Sequence, residues 1–364
     1  MNYIIDRGSP TPAYLQLYRR VKEDIVKGVY PYGSKLPSKR IFASETGVST
    51  VTVEHTYALL CEEGYAEARE RSGFFAIFRP ADGFASSSGG PVPRHAHPRS
   101  QSARYDFPFS VLAKTMRRVL SDYGETVLEK SPNAGCTELR EALKRYLSRN
   151  RGIVVGEGQI VIGSGAEYLY TLIVGLLGRE RVFALESPSY EKIEKVYRAS
   201  GVRCELLPLG ADGIGSAALA GTEATVLHIS PYRSFPSGVT ASASKRYEYL
   251  RWAERADRFL VEDDFESEFS VSSKPEETLF SLSDGEHVIY LNSFSKTVSP
   301  ALRVGYMVLP RRLAHRFTEK LGFCSCTVPT FEQLVLAELI LSGDFERHIN
   351  RVRRAKRKEL APDA

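Results

Sequence analysis

Residues 80–104 cannot belong to a packed core, and that divides the chain. The stretch holds Pro80, Pro91, Pro93 and Pro98 and the run Ser86-Ser87-Ser88-Gly89-Gly90. Proline withholds a backbone donor, and serine and glycine bury little apolar area. Such a segment does not offset the entropy of ordering itself. It reads as a flexible linker between two separately folding parts, residues 1–79 and 105–364. A length of 364 residues with 43% hydrophobic content agrees, because that much apolar surface fills more than one ordinary core. No apolar run reaches the length of a membrane span, and the N-terminus opens on polar and acidic residues, unlike a signal peptide. Cys61, Cys136, Cys204, Cys324 and Cys326 are scattered, with no Cys-x-x-Cys pair. That argues against a disulfide framework or a zinc site and for reduced thiols in a cytoplasmic protein.

Charge alone does not identify a partner. The net charge is +5, and the basic run from Phe345 to Leu360 carries an excess of that size by itself. Residues 1–79 hold eleven basic and nine acidic side chains, so a nucleic-acid function there must rest on pattern.

The pattern is present. Tyr14, Leu17, Tyr18, Val21 and Ile25 recur at helical spacing, with Gly28 as a stop. Ser38 is placed to cap a second helix that Gly47 ends, and Ser49 to cap a third whose buried stripe is Val53, Tyr57 and Leu60. Strand-like runs Tyr65–Arg69 and Phe74–Phe78 flank the turn Glu70-Arg71-Ser72-Gly73. Helices joined by a tight turn and followed by a hairpin predict a winged helix-turn-helix. The third helix then offers Ser49, Thr50, Thr52 and His55 to the major groove of a double-stranded DNA operator. Ser38, Arg40 and the wing residues Arg71 and Gly73 face the phosphate backbone. On spacing alone, a three-helix protein-interaction module fits as well. The segments Gly33-Ser-Lys-Leu-Pro-Ser-Lys-Arg40, Gly47-Val-Ser49, Thr52-Val53 and Glu63-Gly64-Tyr65 resemble the DNA-binding domain of GntR-family regulators. Thr50 stands where that family usually has arginine.

Beyond the linker, strands alternate with amphipathic helices, the signature of an α/β layer fold. Three segments carry chemistry. After the strand Gln159–Ile162, Gly163-Ser164-Gly165-Ala166 opens a helix running to Leu177, and the free amides of such a helix start suit a phosphate. Glu167 would oppose an anion there if it pointed inward. After the strand Arg258–Val261 comes Glu262-Asp263-Asp264-Phe265, where ligands of open α/β sheets bind. Taken alone, that loop reads more readily as a solvated acidic turn. After the strand His287–Leu291 comes Asn292-Ser293-Phe294-Ser295-Lys296, with Arg303 seven residues beyond the lysine. Lys296 fits an imine-forming amine, with Arg303, Ser293 and Ser295 around a phosphate. Together the three meet the needs of pyridoxal 5'-phosphate, with Asp263 on its pyridine nitrogen and Tyr190 stacked on its ring.

These residues lie within longer motifs: Pro132-Asn-Ala-Gly135 with Leu139-Arg140, Gly163-Ser-Gly-Ala166, Glu186-Ser-Pro-Ser-Tyr190, Phe235-Pro-Ser-Gly238, Glu262-Asp-Asp264 and Ser293-Phe-Ser-Lys296 through Arg303. Residues 105–360 resemble the aminotransferase-like domain of MocR-subfamily regulators, similar to fold-type-I aminotransferases. The resemblance implies a mostly parallel sheet, Lys296 as the Schiff-base residue, Asp263 as the pyridinium partner and head-to-tail homodimers. Two departures stand out: Phe265 replaces a tyrosine that bonds the ring hydroxyl, and Lys130 replaces one that reaches the partner subunit's phosphate. The family also continues into a small C-terminal subdomain with a carboxylate-binding arginine. That subdomain is expected to be missing here, leaving the last basic helix with an uncovered face and predicting poor solubility. The expected function is a DNA-binding transcription regulator that senses a small amine or amino acid. The alternatives are an aminotransferase with real turnover and a DNA binder that takes no cofactor.

Overall fold

The computed structural model describes all residues except 1, 2, 4, 7, 10, 70, 71, 79–105, 256, 266, 271–276 and 361–364. The expected linker and the wing residue Arg71 lie outside the described residues. The chain divides into two units, Met1–Pro98 and Arg99–Ala364.

In the first unit α1 (Ala13–Val26) buries Leu17, Tyr18, Val21 and Ile25. Helix α2 (Lys39–Thr46) starts at Ser38, whose side chain accepts from the Ile41 amide at 3.3 Å, and stops at Gly47 in the left-handed region. Helix α3 (Thr50–Glu62) starts likewise at Ser49, which accepts from the Thr52 amide at 3.1 Å. Its inner face is Val53, Thr56, Tyr57 and Leu60. A hairpin of β1 (Ala66–Arg69) and β2 (Gly73–Ala76) follows. It begins one residue later on the first strand than expected and one earlier on the second, because Arg69 pairs with Gly73. The Tyr57 ring lies between Phe42 and Phe74, and its hydroxyl donates to the Pro37 carbonyl at 2.8 Å. The aromatic core thus ties α2, α3 and the hairpin together.

The second unit runs α4 (Phe109–Tyr123), α5 (Thr137–Arg151), β3 (Ile160–Gly163), α6 (Ala166–Leu177), β4 (Val182–Ser187), α7 (Glu191–Ala199), β5 (Arg203–Gly210), β6 (Gly213–Ile214), α8 (Ser216–Gly221), β7 (Val226–Ile229), α9 (Ala243–Ala253), β8 (Phe259–Asp263), α10 (Leu279–Leu282), β9 (Val288–Ser293), β10 (Gly305–Val308), α11 (Arg311–Leu321), α12 (Thr330–Leu341) and α13 (Asp344–Leu360). The strands form one sheet in the order β3-β10-β9-β8-β7-β4-β5-β6. Strands β5, β4, β7, β8 and β9 are parallel, whereas β10 is antiparallel to both neighbours and β6 to β5. Helices cover both faces, so the central strands are apolar except toward their C-terminal ends. Alternate residues serve two cores: Leu227, Leu260, Val288 and Tyr290 pack on one side, and Val226, Phe259, Val261 and Ile289 on the other.

Two strands extend further than their apolar runs suggest. The ladder continues until Asp263 pairs with Leu291 and Ser293 with Gly305, so Glu262, Asp263 and Ser293 are strand residues, not loop residues. The acidic run is no solvated turn: Glu262, Asp263 and Asp264 are all buried. Helix α13 buries Phe345, His348, Ile349 and Val352 against this unit and leaves most of its basic residues outward. No described helix is long and apolar enough to cross a membrane.

Candidate functional site

The C-terminal ends of β4, β7, β8 and β9 open on a cavity of about 270 Å3. The sheet's pleat decides which carboxylate faces it. Asp263 shares a face with Val261 and lines the cavity, while Glu262 and Asp264 turn to the opposite core. Asp263 is fixed from behind: Tyr170 donates to Oδ2, and His228 Nε2 lies 3.5 Å from the same oxygen. The Nδ1 of His228 is in turn 2.8 Å from the Tyr197 hydroxyl. The other carboxylate oxygen, Oδ1, is buried with no hydrogen-bond partner. A buried acceptor of that kind is costly unless something donates to it. Burial pushes the Tyr170 and Tyr197 hydroxyls well above their usual range, so both remain donors.

Lys296 follows β9 and reaches the cavity with its Nζ 5.5 Å from the centre of the Phe265 ring. Ser293, Ser295, Ala166, Tyr190 and Arg303 line it too. Gly165 does not; it contributes clearance. With φ at +90°, a side chain there would be strained, and a Cβ would come within 3.0 Å of Arg303 Nη2, so the guanidinium packs directly over this backbone. The Arg303 backbone is itself left-handed at φ 52, a conformation costing a side-chain-bearing residue on the order of 1 kcal/mol. Tyr190 directly precedes α7 and meets Phe235 edge-on at 6.1 Å between ring centres.

Several residues lining the cavity or lying behind it escaped the sequence reading. Ser230 and Ser234 follow β7, a strand not singled out, and Tyr170 and His228 carry no local signal because their partner is a distant aspartate. Glu186 was noticed only within its motif. It accepts from the Ser230 amide at 3.2 Å and the Ser234 hydroxyl at 2.7 Å. Burial pushes its carboxyl from 4.5 up to about 7 despite those bonds. Between these values the unfolded chain binds fewer protons than the folded one, so stability is full below about pH 4.5 and declines as pH rises through 7. The share of one such group is about 3 kcal/mol. Glu186→Gln should remove that share from the pH dependence of urea-unfolding midpoints, leaving the part due to Glu262, which burial also raises to about 7. An unaltered slope between pH 4.5 and 7 would refute this.

In the first unit, Arg40 of α2, Ser49 at the start of α3, and Thr50 and His55 of α3 are exposed, and Thr52 is half-buried. Ser38 and Ser49 are occupied as caps, and the Ser49 and Thr52 hydroxyls are 2.9 Å apart. The His55 ring meets Tyr14 edge-on, and Gly73 opens β2 with φ +104°. Ile41 and Val51 are exposed apolar residues on the two helices, outside the buried stripes that the spacing predicts.

Comparison with known proteins follows the same division. Residues 13–76 match the bacterial regulatory proteins of the gntR family, and residues 101–359 match aminotransferase class I and II. The chain is similar to the HTH-type transcriptional regulator YdeL of Bacillus subtilis, 32% identical over 98% of this chain and 79% of that one. It is also similar to a probable rhizopine catabolism regulatory protein, MocR, of Rhizobium meliloti (27%, covering 96% and 76%). A third relative is the pyridoxine biosynthesis regulator PdxR of Corynebacterium glutamicum (26%, covering 96% and 77%). Among solved structures, the kynurenine aminotransferase of Pyrococcus horikoshii superimposes with a TM-score of 0.62 at 27% identity, over 68% of this chain and 64% of the enzyme. The α-aminoadipate aminotransferase LysN of Thermus thermophilus gives 0.61 at 29%, with the same coverage. The chain thus spans just under two thirds of the length of these enzymes. A gntR-type head and an aminotransferase-type second unit, matched together along nearly the whole chain by a regulator, place this protein in the MocR-type family of HTH transcriptional regulators.

Proposed function

We propose that the protein is a DNA-binding transcription regulator whose second unit holds pyridoxal 5'-phosphate on Lys296 and responds to a small amine or amino acid. The observation that carries this reading is the cavity, where a lysine amine, an arginine and an orphaned buried carboxylate oxygen converge at the ends of parallel strands. The residues fit the cofactor: Asp263 Oδ1 needs a donor, and a protonated pyridine nitrogen is one. When bound, pyridoxal phosphate supplies an aldehyde that condenses with amines and a ring that draws electrons from them. Lys296 provides the amine. Asp263, steadied by Tyr170 and His228, holds the proton on the ring nitrogen. Arg303, Ser293, Ser295 and the α6 amides beside Gly165 and Ala166 hold the phosphate. Tyr190 covers one ring face, while Phe265 lines the cavity without offering a donor. An effector amine shifts the regulator only if it binds two of its arrangements with different affinity.

On the head, Ser49, Thr50, Thr52 and His55 read base edges, and Ser38, Arg40, Arg71 and Gly73 hold the backbone. We read the regulator as a homodimer on a two-fold operator, in the cytoplasm where its DNA and five free thiols belong. The test is to add pyridoxal phosphate to the whole protein, reduce with borohydride and locate the label by peptide mass; a label on Lys296 is expected. Thr52→Ala and His55→Ala should each weaken binding to a duplex selected from a random pool by roughly fivefold, about 1 kcal/mol, with the visible absorbance of the cofactor unchanged. Loss of both properties together would contradict the division of labour between the two units.

A further inference from the structure

The arginine offered to the phosphate is already engaged. Glu167 Oε2 is ion-paired with Arg303 Nη2, and its Oε1 lies 3.2 Å from Lys192 Nζ. Glu167 sits in the first turn of α6, one residue after Ala166, and lines the same cavity as Lys296. Helix start, guanidinium and ammonium all favour negative charge there, which is why the carboxylate is stable in that place. The same three features are what a phosphate group would use. Arg303 lies against the Gly165 backbone and meets Glu167 with the same Nη2, so a phosphate at this helix start would have to share the guanidinium with Glu167. Partial burial of Glu167 works against its charge, but Arg303 and Lys192 outweigh that and hold its carboxyl below the usual range.

We infer that Glu167 is a built-in competitor for the cofactor's phosphate, a carboxylate that latches Arg303 and must be displaced before pyridoxal phosphate can seat. The inference rests on the cofactor reading above and deepens it. The domain would then load and unload with the free cofactor concentration instead of retaining the cofactor permanently.

Like charges a few ångströms apart repel strongly in a dry site, but Glu167 and Arg303 side chains are 30% and 51% exposed, so solvent screens most of the effect. The expected gain on removing the charge is about tenfold in affinity. The experiment measures dissociation constants of pyridoxal phosphate, pyridoxal and inorganic phosphate for the wild-type chain, Glu167→Gln and Glu167→Ala. Both variants should bind pyridoxal phosphate and inorganic phosphate about tenfold more tightly, with pyridoxal within twofold of wild type. In an Arg303→Gln background the gain should be smaller, because the contested guanidinium is gone and only the like-charge repulsion remains to be relieved. Equal or weaker binding of the two phosphate-bearing probes, or matching tightening of pyridoxal, overturns the proposal. Failure of the cofactor reading shows differently: no chain then gives a borohydride-fixed product with pyridoxal phosphate, while the inorganic phosphate comparison still decides whether Glu167 competes.

Discussion

Lys296→Ala is expected to abolish covalent capture of pyridoxal phosphate: no visible band, no product after borohydride, and at least a hundredfold loss of apparent affinity. The size follows from what the substitution removes. Arg303, Ser293, Ser295 and Asp263 remain, so a weak non-covalent complex survives, held by charge-assisted bonds of a few kcal/mol. The carbon–nitrogen bond does not survive, because among the cavity's lining residues Lys296 alone carries an amine. The truncated side chain leaves the Phe265 ring uncovered. Specific DNA binding measured without effector should stay within twofold. The instructive failure would be a Lys296→Ala chain that is still labelled after reduction. Lys192, whose ammonium is paired with the cavity residue Glu167, would then be the acceptor, and the assignment of the site would move with it.

How much of this was legible beforehand depends on the distance between partners. The head was readable almost residue by residue, since caps and stripes are local: Ser38, Gly47 and Ser49 bound their helices as their chemistry dictates. The cavity's lysine, aspartate and arginine were readable because each closes a strand or the loop that follows one. What escaped are contacts between residues far apart in the chain. Tyr170 and His228 matter only because the fold sets them behind Asp263. Glu167 looked like a possible obstacle, but its grip on Arg303, 136 residues away, needed the folded arrangement. Gly135 was visible as part of a motif without its reason: at φ +105° it lies so close to Ile162 that a Cβ would overlap that side chain. The length of β8 was underestimated because charged residues normally end a buried strand. Here they do not: the Leu279 and Phe280 amides hold Glu262, Tyr170 holds Asp263, and just past the strand a buried arginine that no local pattern announces holds Asp264.

That arginine sets the second large expectation: Arg151→Met should destabilise the second unit by about 3–5 kcal/mol. Arg151 is the last residue of α5, and its guanidinium is paired with Asp264, the two side chains being 1% and 0% exposed. The Tyr290 hydroxyl also donates to Asp264, at 2.7 Å. Removing the cation leaves a buried carboxylate with one neutral donor, which is the costly way to break such a pair. Replacing both partners is a different experiment: Arg151→Met with Asp264→Leu removes the charge as well as its partner and should recover most of the loss. The measurement is the urea midpoint of the second unit, followed separately from the head because two units need not unfold together. A single variant within 1 kcal/mol of wild type would mean that Asp264 is not ionised in the folded chain. The pleat adds a second readout. Asp264 and Asp263 are adjacent but point to opposite faces of the sheet, so the folded fraction of Arg151→Met should still take up pyridoxal phosphate. Stability would be lost on one face of β8 while the chemistry on the other is kept.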